Sequence, residues 1–260
     1  MPSDISPRAE IDPRAVIGNN CKIFPFVYIE GDVVIGDNCI IFPFTSILNG
    51  SRIGNDNKIH QGAVIGALPQ DFDFKGEKSE CIIGNNNIIR ENVVINRATH
   101  TGCKTVIGDN NFLMEGVHIS HDTKIGNDCV FGYGTKIAGD CIIEDGAIFS
   151  TSVVENAGTR VGASAIVRAG TTFSKDVPPY IIAEGTPVRY GGVNTTLLEM
   201  GNVSEKVQKH IANAYRLIFH GQNSVFDAII QVKEQVPDSL EIQHIIDFIS
   251  NTERGIIGKI

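Results

Sequence analysis

The sequence predicts a mainly β chain, a parallel β-solenoid with three six-residue sides, followed by a small α-helical domain. Three observations predict it. From Ile5 an aliphatic residue returns at every sixth position, through Ile11, Ile17 and Ile23 to Ile65, and each of these is isoleucine. Two places before it the residue is mostly small, as at Ala9, Ala15, Cys21, Ala63 and Ala147, and Gly often follows it, as at Gly18, Gly36, Gly54 and Gly108. After Ser204 the apolar spacing changes to three and four, with Val207, Ile211, Tyr215 and Ile218 on one stripe.

Each element has a physical reason. Residues two apart on a strand share a face, so the small residue and the aliphatic point inward together. Gly, Asn and Asp then turn the corner because they tolerate left-handed backbone angles. Three sides make an eighteen-residue coil. Stacked at ~4.8 Å, roughly ten coils give a prism about 45 Å long. The phase resumes at Ile83 after a gap the size of one coil and runs through Ile107, Leu113, Ile119 and Ile137 to Phe173. Only Asp71, Glu77, Thr101 and Glu155 break it. The prism is expected over 1–176, with ejected loops at 67–81 and 97–105. The second loop reads as a coil with one side missing. A Pro- and Gly-rich linker over 177–194 should pack on the prism, ahead of a helical domain at 195–260. Its helices are expected from Ser204 to Gly221, over 224–235 and over 239–253.

Composition narrows the function. The 260 residues are 42% apolar, enough for a sizeable core, and the net charge of −8 argues against a nucleic-acid binder. No run approaches the ~18 apolar residues of a membrane span. The polar N-terminus "MPSDISPRAEIDP" lacks the apolar stretch of a secretory signal. Cys21, Cys39, Cys129 and Cys141 fall on the inward small position, while Cys81 and Cys103 read as lying outside it. None forms a CxxC pair, so a reducing, cytoplasmic setting is expected.

The chemistry-bearing stretch is "GVHISHD", residues 116–122. Val117 and Ile119 point inward, so His118 points outward and His121 stands at a corner. Two solvated histidines are one reading. A general base is the other: a neutral imidazole can take a proton from a hydroxyl if a partner such as Asp122 fixes its tautomer.

"PQDFDFKGE" in the first loop, "HISHD" on the prism, "DVPPY" at its end, "GGVN" and a helical tail occur in that order along the whole chain. This combination resembles the bacterial UDP-N-acetylglucosamine O-acyltransferases. The resemblance implies a left-handed parallel β-helix and transfer of a 3-hydroxyacyl group from acyl carrier protein to the 3-hydroxyl of UDP-N-acetylglucosamine, the first step of lipid A biosynthesis. It also implies a homotrimer with sites between subunits, and no cofactor or metal. By match to the family, His121 is the general base, Asp122 its orienter, and Gly139 supplies the backbone N–H for the oxyanion. Gln70, Asp71, His118, Asp140, Asn156 and Asn194 match substrate-binding positions. Asp140 and Asn156 stand where histidine is frequent, and "TTLLEMGN" follows Asn194 where basic residues are common. Pyrophosphate contacts are therefore sought at Lys75, Arg160, Arg168 or Arg189, and carrier contacts at Lys206, Lys209 and Arg216. His60 and His100 read as surface histidines. Three alternatives stay open: a trimeric zinc hydratase, a non-catalytic scaffold, and the sister N-acyltransferases. The last usually carry an extra domain ahead of the prism, for which hexads beginning at Ile5 leave no room.

Overall fold

The computed structural model describes residues 1–221 and 224–258. The expected tail, 195–260, thus includes two pairs, 222–223 and 259–260, that lie outside the described residues. Three sheets of eleven, nine and eight strands, among the described residues, form the walls of a prism. The first wall runs from Asp4–Ile5 to Arg189–Val193, the second from Glu10–Ile11 to Thr172–Phe173, and the third from Val16–Ile17 to Arg160–Val161. Ile5 pairs with Ile23 and Ile23 with Ile41 in parallel register, so like residues stack along each wall. Ile41, Ile47, Ile59, Ile65, Ile89, Ile95 and Ile119 are fully inaccessible. Burying each stabilises the prism by roughly 2–3 kcal/mol, and a β-branched side chain suits the pleated wall.

At the corner from the second wall to the third, the register jumps. Ile53 pairs with Ile83, thirty positions on instead of eighteen, and Ile83 pairs with Ile107, twenty-four on. The first loop therefore inserts twelve residues and the second six. This corrects two expectations. The stretch from Ile65 to Ile83 is not a complete coil, and no side is missing at 97–105. Both insertions are multiples of six, so the aliphatic phase passes through them unchanged. The second wall has nine rungs, fewer than the roughly ten expected. Cys81 is corrected too: it is fully buried on the inward face of the third wall, paired with Ser51 and Thr105.

The segment 177–194 adds strands to the first wall. Ile181–Glu184 pairs in parallel with Ile166–Val167, and Arg189–Val193 folds back antiparallel on it. Four helices follow: α1 (Thr195–Met200), α2 (Glu205–His220), α3 (Val225–Gln235) and α4 (Leu240–Ser250). Asn194, Ser204, Ser224 and Ser239 cap their N-termini by accepting from backbone N–H groups. The tail is tied to the prism at several points. Tyr215 donates its hydroxyl to the Pro179 carbonyl at 2.5 Å, and Arg160 stacks 4.0 Å from the Phe248 ring centre. His244 on α4 bridges the Tyr180 hydroxyl at 2.7 Å and Glu144 of the prism at 2.8 Å.

Candidate active site

One corner of the prism carries the chemistry. Both loops leave the coils where the second wall turns into the third. The next coil turns there at His121, and the one after at Gly139 and Asp140. Asn156 follows on the coil beyond. The Asp140 N–H donates to the His121 carbonyl at 3.1 Å and the Gly158 N–H to that of Gly139 at 2.9 Å, so these turns are stacked. Asp122 and Asp140 hold φ of 59° and 60°, the left-handed angle the corner requires and that aspartate tolerates.

His121 lies between two carboxylates. Its Nδ1 is 3.0 Å from Asp122 Oδ2. Its Nε2 is 3.6 Å from Asp71 Oδ2, beyond a hydrogen bond. The same Asp122 oxygen accepts the Thr99 N–H at 2.9 Å, while the Asp122 N–H donates to Thr105 Oγ1 at 2.9 Å. With Nδ1–H directed at Asp122, Nε2 keeps its lone pair and faces the first loop. Asp71 is held below the usual carboxylate range, chiefly by the Asp73 N–H at 2.9 Å, with His121 and Thr99 adding to it.

Gly139 is the seat of the ring. A Cβ there would stand 2.5 Å from His121 Cε1 and 2.6 Å from Nε2. Only glycine admits the imidazole at this height. No acceptor meets the Gly139 N–H among the described residues, so it is available to a developing oxyanion beside Nε2. Gly139→Ala is expected to displace the ring and cut kcat about 10²-fold. Steady-state kinetics on the folded variant measure it; unchanged kcat removes this role for Gly139.

The other predicted residues divide. His118 projects from the second wall between Val94 and Lys136. Burial, and then the Lys136 charge, holds it below its ordinary pKa. Gln70, Asp140 and Asn156 are exposed. Asn194 is not brought to this corner as a free side chain. It is buried, caps α1 and donates to the Ser164 carbonyl at 2.8 Å. Arg160 is likewise occupied, donating to the Phe248 and Asn251 carbonyls at 3.2 and 3.1 Å. Arg168 pairs with Glu184 at 3.6 Å, and Lys209 with Glu205 at 2.6 Å. Arg216 donates to Asn213 Oδ1, and Lys75 to the Phe72 carbonyl within its own loop. Arg189 and Lys206 are exposed. His60 stacks on Phe42 at 4.5 Å and faces Glu91; His100 is exposed. Neither Thr99 nor Thr105 is marked in the residue pattern: Thr99 reaches Asp122 through a peptide N–H, and Thr105, which accepts the Asp122 N–H on its hydroxyl, occupies an inward position shared by many small residues.

Six-residue sides wound into a prism, with an imidazole–carboxylate pair on one edge, define a hexapeptide-repeat transferase. The family described as bacterial transferase hexapeptide (six repeats) matches residues 14–41 and 104–139, and that described as UDP N-acetylglucosamine O-acyltransferase, domain 2, matches residues 176–257. The acyl-[acyl-carrier-protein]–UDP-N-acetylglucosamine O-acyltransferase of Thermodesulfovibrio yellowstonii is 38% identical, over 97% of this chain and 96% of that protein. The enzyme of the same name from Halorhodospira halophila is 34% identical, over 97% and 98%. Among solved structures, LpxA of Bacteroides fragilis, a UDP-N-acetylglucosamine acyltransferase, has a TM-score of 0.96 and 52% identity, covering 97% of this chain and 99% of that one. The chain belongs to the UDP-N-acetylglucosamine O-acyltransferase family, and its fold is that family's left-handed parallel β-helix with a small helical C-terminal part. No helix among the described residues is long and apolar enough to cross a membrane.

Proposed function

We propose that this acyltransferase moves a 3-hydroxyacyl chain from acyl carrier protein to the 3-hydroxyl of UDP-N-acetylglucosamine, in the cytoplasm, as the first step of lipid A biosynthesis. The observation that carries the chemistry is the His121 ring, with Asp122 on Nδ1 and an open Nε2 over Gly139. The sugar hydroxyl oxygen attacks the thioester carbonyl carbon as Nε2 takes its proton. The Gly139 N–H donates to the resulting oxyanion. The carbon–sulfur bond then breaks, and the departing thiolate takes the proton back from Nε2. Asp71 accepts from sugar hydroxyls beside Nε2, with Gln70 on the same loop, Asp140 and Asn156 on the turns of that edge, and His118 on the wall leading to it, as further contacts to the acceptor. Asn194 serves here through its cap on α1.

The active unit is a homotrimer. Phe72, at the tip of the first loop beside Asp71, is 99% exposed. An apolar ring so placed, next to a site on an outer edge, fits a neighbouring prism as the second side of the cleft. Incubating the protein with UDP-N-acetylglucosamine and a mixture of 3-hydroxyacyl carrier thioesters, with mass spectrometry of the products, tests the reading. One O-acylated nucleotide sugar is expected. No transfer from any thioester would overturn it.

A further inference from the structure

The second loop meets the site through one residue that the roles above leave unassigned. Thr99 is 1% exposed. Its N–H donates to Asp122 Oδ2 at 2.9 Å, and its hydroxyl to Asp71 Oδ2 at a longer 3.5 Å. It therefore touches both carboxylates that flank the imidazole, one on each side of the ring. Thr99 is itself held from behind. The Ala98 N–H donates to the Glu80 carbonyl at 3.3 Å, the Ser79 hydroxyl donates to the Ala98 carbonyl, and the Gly102 N–H donates to the Lys78 carbonyl at 3.0 Å. These bonds fix the second loop to the strand on which the first loop returns.

We propose that Thr99 is a positioning residue for the acceptor: mounted on Asp122 through its N–H, it holds Asp71 beside Nε2 through its hydroxyl. The proposal rests on the reading of His121 as the base and of Asp71 as a contact to the sugar. Asp71 sits on an ejected loop, and its other oxygen is turned inward to the Asp73 N–H at 2.9 Å. The Thr99 hydroxyl is the link from that carboxylate to the rigid coil beneath. Without it the loop can swing Asp71 off the imidazole at little cost, and the acceptor loses its register.

Thr99→Val keeps the shape and the N–H and removes only the hydroxyl. It is expected to raise the KM for UDP-N-acetylglucosamine about fivefold, the loss of one weak charge-assisted hydrogen bond, with kcat at saturating acceptor within about twofold of wild type. The KM for the carrier thioester and the low-pH limb of kcat/KM should stay in place, because the Asp122 contact is untouched. Thr99→Ser, which keeps the hydroxyl, should restore the acceptor KM. In an Asp71→Asn background, Thr99→Val should add nothing. A wild-type acceptor KM in Thr99→Val, full additivity with Asp71→Asn, or a moved low-pH limb overturns the proposal. A wild type with no transfer at all refutes the functional reading, so the two failures are distinguishable.

Discussion

His121→Ala is expected to lower kcat about 10³-fold, within the range a positioned general base contributes. The fold should survive. The ring is 13% accessible and rests on Gly139 at the prism's edge, outside the stacked isoleucines. Thermal midpoints of wild type and variant should therefore agree within about 2 °C. Removing the base leaves the Gly139 N–H and the bound acceptor in place, so a residual rate above the uncatalysed reaction should persist. The cavity left above Gly139 has the shape of an imidazole. Added imidazole should rescue part of the rate, and only at pH values where it is neutral. Asp122→Asn keeps the ring but turns a donor or a weaker acceptor toward Nδ1, and kcat should fall, by less than in His121→Ala. Steady-state kinetics across pH settle the matter. A His121→Ala protein with wild-type kcat would assign the base elsewhere.

How much of this was readable before the structure depends on the kind of signal each feature carries. The ladder was legible because every sixth side chain must fill the same interior, and isoleucine at each rung leaves few alternatives. The corner position of His121 followed from the same count. The coil number did not, because insertions of twelve and six residues keep the phase and so resemble coils. Cys81 was misplaced for a related reason: it stands two before Ile83, on the inward position, but follows directly on an ejected loop. Asn194 shows the limit of matching residue types. The asparagine matched to a substrate-binding position also caps the short helix α1, and residue type alone does not disclose that second task. Thr99 was invisible because one of its contacts is made by a peptide N–H and the other joins two ejected loops whose meeting no residue spacing records. The hairpin over 181–193 was hidden within a segment rich in Pro and Gly, where the six-residue pattern no longer applies.

One departure from the ladder was visible from the start, and it predicts the largest effect on stability. Glu155 occupies an aliphatic rung, in register between Ile137 and Phe173, and is fully buried. Its Oε1 accepts the Thr159 hydroxyl at 2.9 Å, and its Oε2 has no partner. Burial, and secondarily the Asp176 charge, pushes its carboxyl well above the usual range, against the Thr159 hydrogen bond and the neighbouring Cys141. The folded protein therefore holds it protonated where the unfolded chain ionises. The sign follows from that difference. Stability linked to Glu155 is fully present below its ordinary pKa of 4.5 and is lost as pH rises toward and through the raised folded value. Glu155→Gln keeps the shape and cannot ionise. Relative to it, wild type should lose about 1.4 kcal/mol per pH unit above that ordinary value, until the buried carboxyl itself ionises. Glu155→Leu goes further by restoring the rung and removing the unpaired oxygen. It should stabilise the prism by about 2 kcal/mol near pH 7, while Thr159 keeps its bond to the Asn156 carbonyl at 2.8 Å. Urea midpoints at pH 5 and pH 8, at one protein concentration, measure both effects. A wild-type-to-Gln difference that stays constant across that range would mean that Glu155 is ionised in the folded prism, with a counter-charge or solvent reaching it.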